Sequence, residues 1–327
     1  MVSSVSADTT ANTAMEGDIT SNSEKSLEIF VGIFLTIVVL LNFLLNPLML
    51  CVLYRVTTIQ TTTKIFMASL TVSDICSGIL WFIRVPGLFA GNWLLGEFLC
   101  SASGVIGYTF QVMSFLSLVL LTVDRYIAIC RPLRYPTLMT VLRSKILVSA
   151  TWTITVILGI LIYGSYDQRR IQQDGSHHLC SWRLNNWRAY IALTSIFLAL
   201  ITICILYVRI SLIARNQARR IAAENQAGNG QGGQRINTRS TTTIIIITGT
   251  LIITWIPSVI LYVISLAATS STYTIYLLTY FVNTCVLSNT WLNVIIYYLR
   301  NRDLRQTLRA LLSDWCHRLF HTLHVHV

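Results

Sequence analysis

MSFLSLVLLTVDRYIAICRPLRYP, residues 113–136, is an uncharged apolar run that ends on an acid, a base and a phenol, Asp124, Arg125 and Tyr126. An acid and a base at the end of a membrane span are costly unless they satisfy each other, so ionisable groups at that depth are read as functional by default. The plain alternative is an interfacial pair that only marks where the span leaves the lipid. Pro132 and the basic residues Arg131 and Arg134 follow at once, so the chain leaves the helix on a basic, turn-forming segment.

Working outward, the 327 residues are 54% hydrophobic and only 11% charged, against about 25% charged in an ordinary soluble domain. This is the composition of a membrane protein. Segments 29–54, 98–123, 146–166 and 189–208 carry no charge, and 65–83 is interrupted only by Asp74. Each can cross a hydrocarbon core that needs about 20 helical residues. Segment 240–299 is also uncharged and too long for one crossing, and the polar patch Thr269, Ser270, Ser271 and Thr272 divides it into two. Seven helices result, because lipid offers no partner for a bare backbone amide. The predicted class is an all-α membrane protein, a seven-helix bundle followed by a short amphipathic helix.

The expected organisation is a disordered extracellular tail over 1–28, a bundle over 29–299 and an amphipathic helix with a cytoplasmic tail over 300–327. The spans are expected near 29–54, 63–84, 97–128, 144–166, 187–213, 240–266 and 273–299. Most of the 24 Lys and Arg then fall on one side, which puts the N-terminus outside. The net charge of +11 suits a cytoplasmic face against anionic lipid and an acidic partner, and gives no reason to invoke nucleic acid. The tail has no apolar core of a signal peptide, so the first span is expected to serve as the insertion signal. Asn12 and Asn22 are not in glycosylation sequons.

The pattern DRYIAICRPLRY resembles the cytoplasmic end of the third helix in rhodopsin-like G-protein-coupled receptors. SLTVSDIC around Asp74 is similar to that family's second-helix pattern, and Asn46 falls where the family has its first-helix Asn. TWIP, from Thr254 to Pro257, resembles the sixth-helix C-W-x-P with Thr254 in place of Cys. Asn293 to Tyr297 resembles N-P-x-x-Y with Val294 in place of Pro, which straightens the helix and puts the usual inward swing of Tyr297 in doubt. The fifth span keeps Tyr207 but has Ala199 where the family has Pro. Several stretches are worded like odorant-type chemosensory receptors, whereas Trp93 and TWIP fit the wider family better.

The resemblance implies a set of sites. Asp124, Arg125, Tyr126, Tyr207, Asn293 and Tyr297 would couple to a heterotrimeric G protein, with Trp255 and Pro257 as the switch. Asp74, Ser114, Asn289, Thr290 and Asn293 would form an allosteric sodium pocket; a protonated Asp74 held by hydrogen bonds is the other reading. Trp93 and Gly96 before Cys100 match the receptor disulfide, with Cys180 in the second outer loop as its partner. An extracellular small-molecule ligand would meet Arg84, Gly107, Tyr108, Gln111, Ser195, Ser258, Tyr262 and Asn283. Arg84 either snorkels to the headgroups or anchors an anionic group. Gly107 stands where biogenic-amine receptors carry an Asp, which argues against a protonated amine.

Cys316 is a lipidation position by its place after the amphipathic helix. His177 and His178 have no second ligand set, so no metal beyond sodium is expected. No acid near Asn237 or Thr241 can hold Arg125, so its restraint is expected to rest on Asp124 alone and basal activity to be appreciable. Arrestin, a receptor kinase and membrane lipid are further implied partners, and the plasma membrane is the expected location. A peptide or lipid receptor of the same family, or a non-signalling seven-helix scaffold or scavenger, is the alternative. No catalytic constellation is visible, so no enzyme is expected.

Overall fold

The computed structural model describes residues 2–163, 171–174, 177–180, 186–226, 238–267 and 272–325. Seven long helices form the bundle: α1 (Val2–Arg55), α2 (Thr61–Phe82), α3 (Gly96–Cys130), α4 (Val141–Tyr163), α5 (Asn186–Gln226), α6 (Thr238–Ala267) and α7 (Thr272–Arg300). An eighth, α8 (Arg302–Val325), follows α7 after a single residue. Five of these are long and apolar enough to cross a membrane among the described residues. Two short strands, β1 (Ile171–Asp174) and β2 (His177–Cys180), pair antiparallel with Ile171 opposite Cys180.

α1 is helical from Val2, where the sequence predicts a disordered tail. Its first turns contain no Pro and only Gly17, so nothing in them breaks the helix. The helices close a ring in which α1 packs on α2 and α7, α2 on α3, α3 on α5, α5 on α6 and α6 on α7. α4 lies outside that ring, against α2 and α3. Its helix is apolar all round, and Trp152 reaches inward to donate to the Ser69 hydroxyl at 3.0 Å.

Buried amides fasten α1 to its neighbours. Asn42 Nδ2 donates to the Asp74 carbonyl at 3.1 Å and to Thr290 Oγ1 at 2.6 Å, and Asn46 Nδ2 reaches the Thr290 carbonyl at 3.4 Å. In lipid these polar contacts hold helices together where apolar side chains gain little by meeting each other. Gly78 makes room for this, since a Cβ there would collide with the Asn42 amide.

The two ends of the bundle differ. At one end Cys100, opening α3, is bonded to Cys180 at the close of β2, with Cα atoms 5.7 Å apart and Trp93 packed on the pair. The sequence pairing is therefore met. At the other end Leu304 and Leu308 of α8 pack beneath α1 and α7 with Met49, Leu53 and Val294, and Leu311 is also buried. The α8 acids face the end of α1 and the α1–α2 connection: Arg55 pairs with Asp314 at 2.8 Å and Thr58 donates to Asp303 at 2.8 Å.

Candidate functional site

The end of α3 builds a closed polar cluster in an apolar surrounding. Asp124 is fully buried and forms an ion pair with Arg125 at 2.9 Å. Thr63 of α2 donates to the same carboxylate oxygen at 2.9 Å and itself accepts from Arg125. Tyr135, in the helical turn Tyr135–Leu138, donates to the other oxygen at 2.7 Å and shares a 2.8 Å contact with Thr62. The carboxylate thus receives three donors, and burial of such a charge is tolerable only because they are supplied. Burial pushes the Tyr135 phenol above its ordinary pKa, and the neighbouring Asp124 adds to the rise. A raised phenol keeps its proton through the neutral range, so this donor is present there and is lost only as strongly alkaline pH removes the proton.

The expected ion pair is joined by neutral donors that the sequence reading did not name. Among the described residues Asp124 is the ion-pair partner of Arg125, but Thr62, Thr63 and Tyr135 hold the acid in place. These partners lie 61 or 62 residues upstream and 11 residues downstream of the acid, so no local pattern exposed them. The one usable signal was Tyr135 in PLRYP, a phenol just beyond a span with an acid at its mouth.

Next to this cluster, the other residues expected to couple are present but apart. Tyr207 of α5 is buried and shares a long 3.4 Å contact with Thr122. Tyr297 of α7 and Tyr126 of α3 pack on the same apolar cluster as Tyr207. The Tyr297 hydroxyl is buried without a hydrogen-bond partner, within electrostatic reach of Tyr207, Arg125 and Asp74. α7 runs through Val294 as unbroken helix, and Val294 packs against α1 and α8 residues.

Above lie the two residues expected to form the switch. Pro257 sits inside α6, and Trp255 is buried with its ring centroid 5.0 Å from that of Phe115. Thr254, which stands in the Cys place, accepts from Asn289 Nδ2 at 2.7 Å and so ties α6 to α7.

Mid-bundle, Asp74 is buried and the Ser114 hydroxyl approaches its carboxyl from α3. Neither carboxylate oxygen completes a hydrogen bond, and both side-chain polar atoms of Asn293 and the Asn289 carbonyl oxygen are likewise unsatisfied. Carboxylate, hydroxyl and amide oxygens are the donors a hard cation takes. Thr290 departs from the predicted set: its hydroxyl accepts from Asn42 and donates to the Leu287 carbonyl, which ties it to α1.

Toward the disulfide end, Arg84 is 3% exposed, which removes the snorkelling reading. Its guanidinium donates to the Tyr280 hydroxyl and to Ser103, both at 3.3 Å, and lies 5.4 Å from the Trp81 ring centroid and 5.9 Å from that of Tyr280. Such aromatic faces stabilise a guanidinium that has left water. Tyr108 accepts from Asn283 at 3.1 Å, and its ring meets Trp81 edge-on. Gln111 is buried with its amide nitrogen unsatisfied. The predicted residues Arg84, Tyr108 and Asn283 therefore share one aromatic cluster, whose Trp81, Tyr276 and Tyr280 the sequence reading missed. Trp81 lies three residues before Arg84, one helical turn away, which was the available signal. A Cβ at Gly107 would meet only Leu80, at 3.6 Å. Ser258 is half-buried on α6, while the side chains of Ser195 and Tyr262 lie outside the described residues. Cys316 is exposed on α8, and no metal-holding cluster of His, Cys, Asp or Glu occurs among the described residues.

A seven-helix bundle with a disulfide at one end, a proline-bearing sixth helix and a buried acid–arginine pair at the other end is the architecture of a membrane receptor. Residues 45–297 match the family model for the 7 transmembrane receptor (rhodopsin family), and the chain belongs to that family, a multi-pass membrane one. It is 29% identical over 205 residues to the histamine H2 receptor of Homo sapiens, covering 61% of this chain and 56% of that one. Against the histamine H2 receptor of Canis lupus familiaris the identity is 27% over 235 residues, covering 70% and 64%. The D(1A) dopamine receptor of Xenopus laevis is 28% identical over 231 residues, covering 66% and 51%. The chain thus spans less than two thirds of the length of each of these relatives. They are named for amines, and the odorant-type likeness finds no support in them.

Proposed function

We propose that the chain is a G-protein-coupled receptor of the plasma membrane, with its N-terminus outside, that binds an extracellular small molecule and promotes GDP/GTP exchange on a heterotrimeric G protein. The observation that carries this reading is the Asp124–Arg125 cluster: a buried charge pair at the bundle end, held by donors from two other segments. Such a pair is a two-state element, closed on Asp124 here and open when Arg125 turns to Tyr207, Tyr297 and the G protein. A ligand shifts that equilibrium by binding the open form more tightly. α6 pivots at Pro257, where a backbone hydrogen bond is missing. A cation on Asp74, Ser114, Asn289 and Asn293 would favour the closed form; arrestin, a receptor kinase and lipidation at Cys316 belong to the same proposal.

The test is nucleotide exchange on a panel of G-protein α subunits in membranes carrying the wild type or Arg125→Ala, with surface levels quantified. Exchange that disappears in Arg125→Ala supports the receptor reading. Silence of the wild type with every α subunit, at full surface level, favours the scaffold or scavenger alternative.

The relatives' names point toward a biogenic amine, and the residues of the aromatic cluster point away from one. An ammonium needs a carboxylate in a site shielded from water, and Gly107 supplies none. Gly107→Asp is expected to give the receptor a measurable affinity for a protonated phenethylamine or imidazole-ethylamine probe, improved at least tenfold over wild type. The Cβ fits without displacing backbone. Wild-type binding of such an amine as tight as that of the variant would overturn the non-amine reading.

A further inference from the structure

Just beyond α2 the bundle holds a buried cation among aromatic rings. The Arg84 guanidinium lies over Trp81 and Tyr280, whose faces make its burial tolerable. Its hydrogen bonds to Tyr280 of α7 and Ser103 of α3 go to neutral hydroxyls. Both are 3.3 Å long, beyond the usual range of about 2.7–3.2 Å. Two further donors belong to the same region. The Trp81 indole nitrogen and the Gln111 amide nitrogen are buried and complete no hydrogen bond among the described residues. A buried N–H left unbonded is costly, so both call for an acceptor.

The backbone of α3 leaves room beside them. Gly107 is buried, yet a Cβ there would have a single heavy atom beyond its own helix within 4 Å, the Leu80 Cβ at 3.6 Å. Gln111 is four residues on and shares that face of α3. Tyr108, next to Gly107, meets the Trp81 ring edge-on and accepts from Asn283. The bundle interior is therefore open where α3 faces the end of α2, and the polar groups left unbonded around it are donors.

We propose that this cluster takes a small organic monocarboxylate, an apolar molecule whose single carboxylate is bound by Arg84. This names the ligand class of the receptor reading, on which it rests. The planar guanidinium fork matches a carboxylate through two parallel N–H donors, and such charge-assisted bonds are stronger than those it makes to the two hydroxyls. The indole and amide nitrogens supply neutral donors to the remaining oxygen lone pairs. One guanidinium balances one negative charge, whereas a phosphate monoester brings nearly two. The rings of Trp81, Tyr108 and Tyr280 offer faces and edges to the apolar body of the molecule. An ammonium would meet a like charge and donors where it needs acceptors.

The experiment titrates phenylacetate, 3-phenylpropionate, indole-3-acetate and octanoate onto the full chain in phosphatidylcholine nanodiscs, with empty discs subtracted. Each acid is compared with its primary amide and with the corresponding amine, by saturation-transfer NMR. At least one acid is expected to bind about tenfold tighter than its amide. Arg84→Gln should bring that ratio close to unity while leaving the amide within a few-fold, and Arg84→Lys should keep part of the preference. Ser103→Ala removes a hydrogen bond of Arg84 but no charge, and should leave the ratio within a few-fold. Gln111→Met should weaken the acid several-fold. If Arg84→Gln fails to fold, the ratio in Arg84→Lys and the acid affinity of Gln111→Met decide.

A wild type that binds acid and amide alike, or none of the acids at millimolar concentration, would overturn the proposal. So would an amine that binds tighter than its acid, or an undiminished preference in Arg84→Gln, which would leave Arg84 as a strut between α3 and α7. Nucleotide exchange on the Gα panel is run with the same probes. An acid preference without exchange keeps this site and removes the signalling reading. Basal exchange that depends on Arg125, with no acid preference, does the reverse.

Discussion

Asp124→Asn is expected to raise basal nucleotide exchange by roughly 10- to 100-fold over wild type, because it removes the charge that holds Arg125 while preserving shape. A hydrogen bond to a charged group is worth about 1.5–3 kcal/mol, and a bias of that size appears directly in the ratio of open to closed receptor. Arg125 is then left with Thr63 as its only recorded partner in the cluster. Tyr135→Phe removes one donor to the acid together with the Thr62 contact and leaves the charge of Asp124 in place, so its effect should go the same way and be smaller, a few-fold. The order wild type, Tyr135→Phe, Asp124→Asn in basal exchange at matched surface level is the readout. Equal basal exchange in all three would mean that the cluster restrains nothing and merely closes the end of α3.

The second large effect is expected on folding. Cys100 and Cys180 are 80 residues apart in sequence, and closing a loop of that length removes denatured-state entropy worth about 4–5 kcal/mol. The same bond seats β2 on the mouth of α3, where Trp93 packs against it. Cys100→Ser should therefore lower surface abundance several-fold and depress the unfolding temperature in detergent. Cys180→Ser and the double variant should match it, since each removes the same bond. A double variant with wild-type abundance and unfolding temperature would show that the outer end is held by helix packing alone.

The features legible in the sequence are those that depend on local spacing. Asp124–Arg125–Tyr126 at the end of an apolar run, Pro257 two residues after Trp255, and the Trp93, Gly96 and Cys100 layout all sit within one or two helical turns. Their structural counterparts are the closed ion pair, the proline in α6 and the disulfide. The features that were illegible depend on what the fold brings together from afar. Thr63 and Tyr135 reach Asp124 from separate segments, so nothing beside the acid announced them. Thr290 has the right spacing to join the Asp74 set but spends its hydroxyl on Asn42, a competition visible only once α1 is placed beside α7. Arg84 carried two opposite readings because a lone base near a span end gives no hint of whether aromatic rings or headgroups surround it. The helix over the predicted disordered tail escaped notice for a different reason: its Ser, Thr and Asp content reads as polar, yet it contains no proline to stop the helix of the first span from extending backward.

The tie between α8 and the α1–α2 connection divides the molecule mechanically. Through Arg55–Asp314 and Thr58–Asp303, α8 is strapped to α1, and α1 is strapped to α7 by Asn42 and Asn46. With no proline in α7 to let its lower half bend, these three helices form a stator. α1 also holds a proline, Pro47, but it lies between the Asn46 and Arg55 ties, so the rotor of the proposed receptor is α6, hinged at Pro257, together with α5 against which it packs. In the proposed receptor, whatever a ligand does at the disulfide end would have to leave the molecule as torque on that one arm.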